Sequence, residues 1–211
     1  KRTSYIVDDF VGLVDQFMEH LGIAQAPLVG HSMGGTVSLA VAIQFPHRVS
    51  KVTVIGAPIQ GSSLTLLLKL AGYRPLALLV FNMMWALKLG IRLSSPLITS
   101  DPRWYSMIDQ DLSRTTLEAF LTSIASLHRT DLTARLPEIK VPTMGIYGEK
   151  DILVNPNQWK PLQTGVAQAR IERFKKAGHF PMLDQPQIFQ ETLRDFLDGP
   201  TPPPEKGAPP A

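Results

Sequence analysis

The sequence predicts an α/β domain: a mostly parallel sheet flanked by helices and interrupted by a helical insertion. Three observations carry this. A short apolar run, Ala26 to Val29, leads through Gly30-His31-Ser32-Met33-Gly34-Gly35 into a helical run from Thr36 to Phe45, the alternation of strand and helix that builds such sheets. The apolar residues of Val49 to Ile55 do not simply alternate, as expected of a strand covered on both faces. Strand signals then stop from about Ile59 to Leu136 and return at Val141 to Tyr147, so a helical block is inserted between two strands of one sheet.

Each element has its own local reason. Ser4 to Leu21 carries Ile6, Val7, Phe10, Val14, Phe17, Met18 and Leu21 at helical spacing, and Gly22 ends the run. Pro46 breaks the helix after Ser32, and Gly56-Ala57-Pro58 closes the next strand. Within the insertion, Leu64 to Leu70 and Leu76 to Leu89 are apolar almost all round. Leu117, Phe120, Leu121, Ile124 and Leu127 form a helical stripe, with Thr115 and Glu118 at capping-box spacing before it. The run from Leu76 to Leu87 contains Asn82, lies between Arg74 and Lys88, and falls short of the roughly 20 residues a span requires. It reads as a buried helix, and no membrane-spanning segment is expected. A helix over Asn157 to Val166, a strand over Ala169 to Lys175 and a helix over Gln187 to Leu197 complete the pattern. The expected units are a core part over 1–58, a helical cap over 59–137, a second core part over 138–198 and a disordered tail over 199–211, rich in proline and glycine.

Composition narrows the function classes. A chain of 211 residues with net charge +3 and scattered basic residues has no basic stripe for nucleic acid. It has no cysteine, which excludes disulfides, thiolate metal sites and a cysteine nucleophile. The histidines lack paired ligand spacing, and neither a phosphate-cradling loop nor a dinucleotide fingerprint is present, so no metal or cofactor is expected. Lys1 opens no signal-peptide pattern, and the chain reads as beginning inside a folded domain, truncated at its N-terminus. A cytoplasmic location is the default reading.

The chemistry centres on Ser32. Strand, sharp turn and helix make a nucleophile elbow, in which the serine takes a strained conformation and lifts its hydroxyl above the sheet. The positions two before and two after it are expected to come too close for side chains, hence Gly30 and Gly34, while Gly35 lets the helix pack on the strand. A serine hydroxyl needs a base, and the base an orienting acid. Of five histidines, His20 lies on the first helix, His47 at a helix exit and His128 at the end of an inserted helix. His31 adjoins Ser32, but the turn is expected to point its side chain elsewhere. His179 follows a short strand in a loop at the sheet edge and is the expected base. Asp151 lies just past a strand end, where catalytic groups of parallel sheets gather, and is the expected acid. Glu149 belongs to the turn. Asp184 is the alternative acid, otherwise capping the last helix or bracing the His179 loop.

The motifs Leu28-Val29-Gly30-His31-Ser32-Met33-Gly34-Gly35, Pro46-His47-Arg48-Val49, Val141-Pro142 through Gly148-Glu149-Lys150-Asp151, and Ala177-Gly178-His179-Phe180-Pro181 with Asp184-Gln185-Pro186 resemble the C-terminal two-thirds of an α/β-hydrolase. The resemblance implies Ser32 as nucleophile, His179 as base, Asp151 as acid and the Met33 backbone N–H as one oxyanion donor. The His-Gly loop that supplies the second donor in that family has no counterpart here, and the donor is expected upstream of Lys1. The missing strands would leave the elbow strand with an unpaired apolar edge. The implied activity is hydrolysis of carboxylic esters of a small apolar substrate through an acyl-enzyme. His31, Met83, Trp85 and Trp104 are named as substrate-binding residues, against the plainer alternative that the cap residues form the cap's own core. A serine nucleophile argues against the dehalogenase and epoxide-hydrolase relatives, which use aspartate. A meta-cleavage-type carbon–carbon bond hydrolase, a thioesterase or an acyltransferase would use the same triad. A non-catalytic fragment or binding scaffold is the reading from outside enzymology.

Overall fold

The structure, a computed structural model, describes residues 4–64, 73, 75, 84–167 and 169–200, without the side chains of residues 84–87, 112 and 117. Most of the two apolar runs expected at Leu64 to Leu70 and Leu76 to Leu89, and all but the first two residues of the tail, lie outside the described residues.

The elements follow in the order α1 (Val7–His20), β1 (Ala26–His31), α2 (Met33–Gln44), β2 (Val49–Ile55), α3 (Met84–Ile98), α4 (Trp104–Arg114), α5 (Leu117–Arg129), β3 (Thr143–Gly148), α6 (Trp159–Gly165), β4 (Ala169–Phe174), α7 (Pro181–Asp184) and α8 (Pro186–Asp198). The four strands form one parallel sheet in the order β1-β2-β3-β4. Every connection therefore crosses over a face. α2 carries the first and α6 the third, while the helices α3–α5 lie within the second. Among the described strands β1 has one neighbour only, and Val29 on it is 43% exposed.

Both faces of the sheet are covered, which explains why β3 is buried throughout and β2 at every residue but Ser50. On one face Val52 and Val54 pack with Val37 and Val41 of α2, Val11 of α1 and Leu162 of α6. On the other, Ile55, Met144, Ile146 and Phe174 meet Phe189, Leu193 and Phe196 of α8. Each of these side chains contributes about 1.5–3 kcal/mol when fully removed from water. α2 is apolar on nearly every side because it lies between the sheet and α1, with residues 35–43 all buried. α8 is held at its C-terminal end by Lys51, buried on β2, whose ammonium donates to the carbonyls of Phe196, Leu197 and Gly199. That placement satisfies orphan carbonyls and opposes the helix dipole.

Two local expectations need correction. The helix over Leu117–Arg129 is capped by Thr116, whose hydroxyl accepts from Ala119 N at 3.1 Å. Thr115 bonds back to the Asp111 carbonyl instead, so the expected Thr115–Glu118 box does not form. The first helix begins at Val7, and no residue beside it caps it. Its free amide is taken by the Ser126 hydroxyl of α5, at 2.9 Å, a partner 119 residues away.

Candidate active site

The turn between β1 and α2 is strained at one residue. Ser32 has φ 52° and ψ −124°, a conformation that costs a non-glycine residue about 1–3 kcal/mol and persists only where the surroundings impose it. Here the Ser32 amide donates to the Ile55 carbonyl at 2.8 Å, and its carbonyl accepts from Gly35 N at 2.9 Å. The turn is thus tied to β2 on one side and to α2 on the other.

Glycine is required at two positions, and they differ in part from those expected. A Cβ at Gly30 would lie 2.2 Å from the Gly34 carbonyl oxygen, and one at Gly35 would lie 2.6 Å from Ala57 Cβ. A Cβ at Gly34 would meet nothing within 4 Å. The crowding comes from α2 backing onto β1 and β2, and Gly34 faces away from both. Met33 opens α2, so its amide is among the first-turn N–H groups that lack an intrahelical acceptor and is free to meet a negative oxygen.

Asp151 and His179 come together beside this turn. His179 Nδ1 lies 2.7 Å from Asp151 Oδ2, with both residues buried. The other carboxylate oxygen accepts from the amides of Leu153 (2.8 Å) and Val154 (2.9 Å). The carboxylate's rotamer is therefore set by its own loop, and an ionised carboxylate accepts from Nδ1–H, which leaves Nε2 of the neutral ring without a proton. Beneath the pair lies Gly56, at φ +54°, where a Cβ would be 3.2 Å from His179 Nδ1 and 3.5 Å from Asp151 Oδ2. Gly56 was legible in the sequence only as the end of a strand.

His31 is not turned away from the site. Its Nε2 lies 2.9 Å from the His179 carbonyl, and its ring centroid is 4.7 Å from that of His179 and 4.8 Å from that of Phe180. Burial, and then the neighbouring His179 imidazole, push its pKa down to about 4. The ring is neutral near pH 7 and, because a carbonyl only accepts, donates from Nε2.

Trp104, at the start of α4, is buried and packs on Phe180 at 5.6 Å between ring centroids. Phe180 in turn stands edge-on to His179 at 5.2 Å. Met83 and the side chain of Trp85 lie outside the described residues. His47 is in the 3-10 turn Pro46–Arg48, and His20 and His128 occupy the last turns of α1 and α5. Asp184 makes no bond to a histidine; its carboxylate accepts from Gly178 N, Thr99 Oγ1 and Ser100 N. Of its two other expected roles this matches the bracing of the loop, since α8 has no side-chain cap. Among the described residues no group of three or more histidine and acidic side chains is placed to hold a metal ion, and no helix is long and apolar enough to cross a membrane.

Comparison with known proteins agrees with this architecture. The profile of the alpha/beta hydrolase fold family matches residues 1–186. A 2-hydroxy-6-oxo-6-phenylhexa-2,4-dienoate hydrolase of Comamonas testosteroni is 29% identical over 93% of this chain and 73% of its own length. A 2-hydroxy-6-oxononadienedioate/2-hydroxy-6-oxononatrienedioate hydrolase of Cupriavidus pinatubonensis is 29% identical over 85% of this chain and 64% of its own. Among solved structures, an esterase from Exiguobacterium antarcticum superposes with a TM-score of 0.76 at 22% identity, over 93% of this chain and 75% of that one. The chain thus spans about two thirds to three quarters of these relatives. With a family match over residues 1–186 and a parallel sheet flanked by helices, the chain belongs to the alpha/beta hydrolase fold family and is a hydrolase.

Proposed function

We propose that the chain carries a Ser32-His179-Asp151 triad and cleaves carboxylic esters of a small apolar substrate through an acyl-enzyme. The observation that carries this is the buried 2.7 Å bond between His179 and Asp151, on a loop bonded to His31, next in sequence to a serine at φ 52°. Ser32 Oγ attacks the ester carbonyl while His179 Nε2 takes its proton, and the carbonyl oxygen, now negative, is met by the Met33 amide. His179 then returns the proton to the leaving alkoxide, which departs as the alcohol. Water, deprotonated by the same nitrogen, attacks the acyl-enzyme, and the acid leaves as Ser32 recovers its proton. Asp151 stays ionised and stabilises the imidazolium in both halves. Among the described residues the Ser32 hydroxyl makes no hydrogen bond; its bond to His179 closes in the substrate complex, where catalytic contacts often tighten. The helical block between β2 and β3 acts as a cap, and Trp104 on Phe180 gives its floor an aromatic wall.

A second reading keeps the residues and changes the bond. The 29% identical relatives are named as hydrolases of 2-hydroxy-6-oxo dienoates, which supports cleavage of a carbon–carbon bond beside a ketone. One experiment separates the two. Hydrolysis of p-nitrophenyl esters of increasing acyl length and of 2-hydroxy-6-oxo-6-phenylhexa-2,4-dienoate is compared for the chain and its Ser32→Ala variant. Turnover of the esters that falls about 10⁴-fold or more in the variant supports the proposal. Turnover of the dienoate alone moves the reaction to the second reading. Equal rates in chain and variant overturn the nucleophile.

A further inference from the structure

The loop that carries His179 is anchored at three places. Asp151 holds the ring at Nδ1, and His31 holds the residue's own carbonyl. The third anchor is on the residue before it, where Gly178 N–H donates to Asp184 Oδ2 at 2.7 Å. The other oxygen of that carboxylate faces the inserted helices. Oδ1 accepts from Thr99 Oγ1 at 2.7 Å and from Ser100 N at 2.6 Å. Thr99, itself buried, and Ser100 follow directly on the last residue of α3. One carboxylate therefore bridges two segments nearly 80 residues apart in sequence.

The two segments also touch without side chains between them. A Cβ at Gly178 would lie 2.5 Å from the Ile98 carbonyl oxygen. Any displacement of the end of α3 is thus felt at once by the backbone leading into His179. Asp184 has no cationic partner among the described residues and is satisfied by donors from both sides. Losing the two just beyond α3 leaves a part-buried carboxylate short of partners, which a hydrogen-bonded charge tolerates poorly.

We propose that Asp184 is a positioning residue that couples the helical block to the catalytic imidazole, so that seating of the C-terminal end of α3 and alignment of His179 are a single event. The substrate-covering block and the base are then never set independently: a block lifted from its seat releases Gly178 and with it the backbone of His179. This rests on the proposed role of His179, and the test is chosen to separate the two.

The full chain is compared with Asp184→Asn, Thr99→Val and Thr99→Ser by two measurements: steady-state ester hydrolysis, and the low-field proton resonance of the His179 Nδ1–H bonded to Asp151. The resonance is read whether or not esters turn over. Asp184→Asn is expected to lower kcat about 10- to 100-fold with KM little changed, the size of effect a small misplacement of a catalytic group produces, and to broaden or shift the resonance. Thr99→Val, which removes one donor and keeps the side-chain shape, is expected to move both in the same direction by less. Thr99→Ser, which restores the hydroxyl, recovers most of that loss. A resonance and kcat unchanged in Asp184→Asn and Thr99→Val, with only the melting temperature lowered, would reduce Asp184 to a structural brace and overturn the proposal. If no ester is hydrolysed, the proposed reaction fails. The coupling is then decided by the resonance alone: it stands if the resonance is lost in the two variants and falls if it is unchanged.

Discussion

Acid lability traceable to one ring is the sharpest consequence of the site. His31 is held neutral in the folded chain, with its pKa lowered from 6.5 to about 4 by burial and by the imidazole of His179, against smaller opposing pulls from its bond to the His179 carbonyl and from Asp151. In the unfolded chain the ring titrates near its ordinary value. Between those two values the unfolded state binds a proton that the folded state does not, so stability rises with pH across the window. His31's contribution is complete above about pH 6.5, declines as the pH falls towards 4 and is absent below that. Each pH unit across the gap is worth about 1.4 kcal/mol, so the window amounts to about 2–3 kcal/mol once the ring's partial contact with solvent is allowed for. The perturbation is His31→Asn, whose side-chain amide can donate to the His179 carbonyl but does not titrate. Urea unfolding of the chain and the variant at about pH 7.5 and about pH 4.5 gives the difference, and the titration of every carboxylate common to both cancels in it. The chain is expected to lose about 2–3 kcal/mol more than the variant between the two conditions. Parallel stability–pH curves would show that His31 is not held neutral by folding and would refute the reasoning.

Two further substitutions test the frame around the triad. Gly56→Ala places a methyl 3.2 Å from His179 Nδ1 at a backbone φ of +54°; it is expected to destabilise by about 1–2 kcal/mol and to lower ester turnover by about tenfold or more, and a variant with normal turnover would show that the ring has slack. Gly35→Ala drives a methyl to 2.6 Å from Ala57 Cβ, whereas Gly34→Ala meets open space. The first is expected to cost about 1–3 kcal/mol in urea unfolding, and the second to change stability by no more than about 1 kcal/mol. Equal effects would contradict the packing of α2 on β2.

The parts of this protein that were legible in the sequence are those set by local geometry. A strand, a tight turn and a helix around Ser32 can be read from spacing and glycine content, because only such residues permit that turn. The parallel sheet is legible for a similar reason: β2 and β3 are covered on both faces, so their apolar residues do not simply alternate with polar ones. Where two segments must meet, spacing is silent. Nothing near Val7 reveals that its amide is capped by Ser126, and nothing near Asp184 reveals that its second oxygen faces the end of α3. Gly34 and Gly35 are adjacent and identical, yet only one is crowded, because the helix turns about 100° between them and shows the sheet one face. His31 shares the same limit. Its place in the turn is local, but its neutral ring and its bond to the His179 carbonyl exist only because a loop 148 residues away folds over it. The sequence alone determined which residue types stand at each turn and strand end; the tertiary structure decided which of them touch, since contact depends on approach in space that no local pattern encodes.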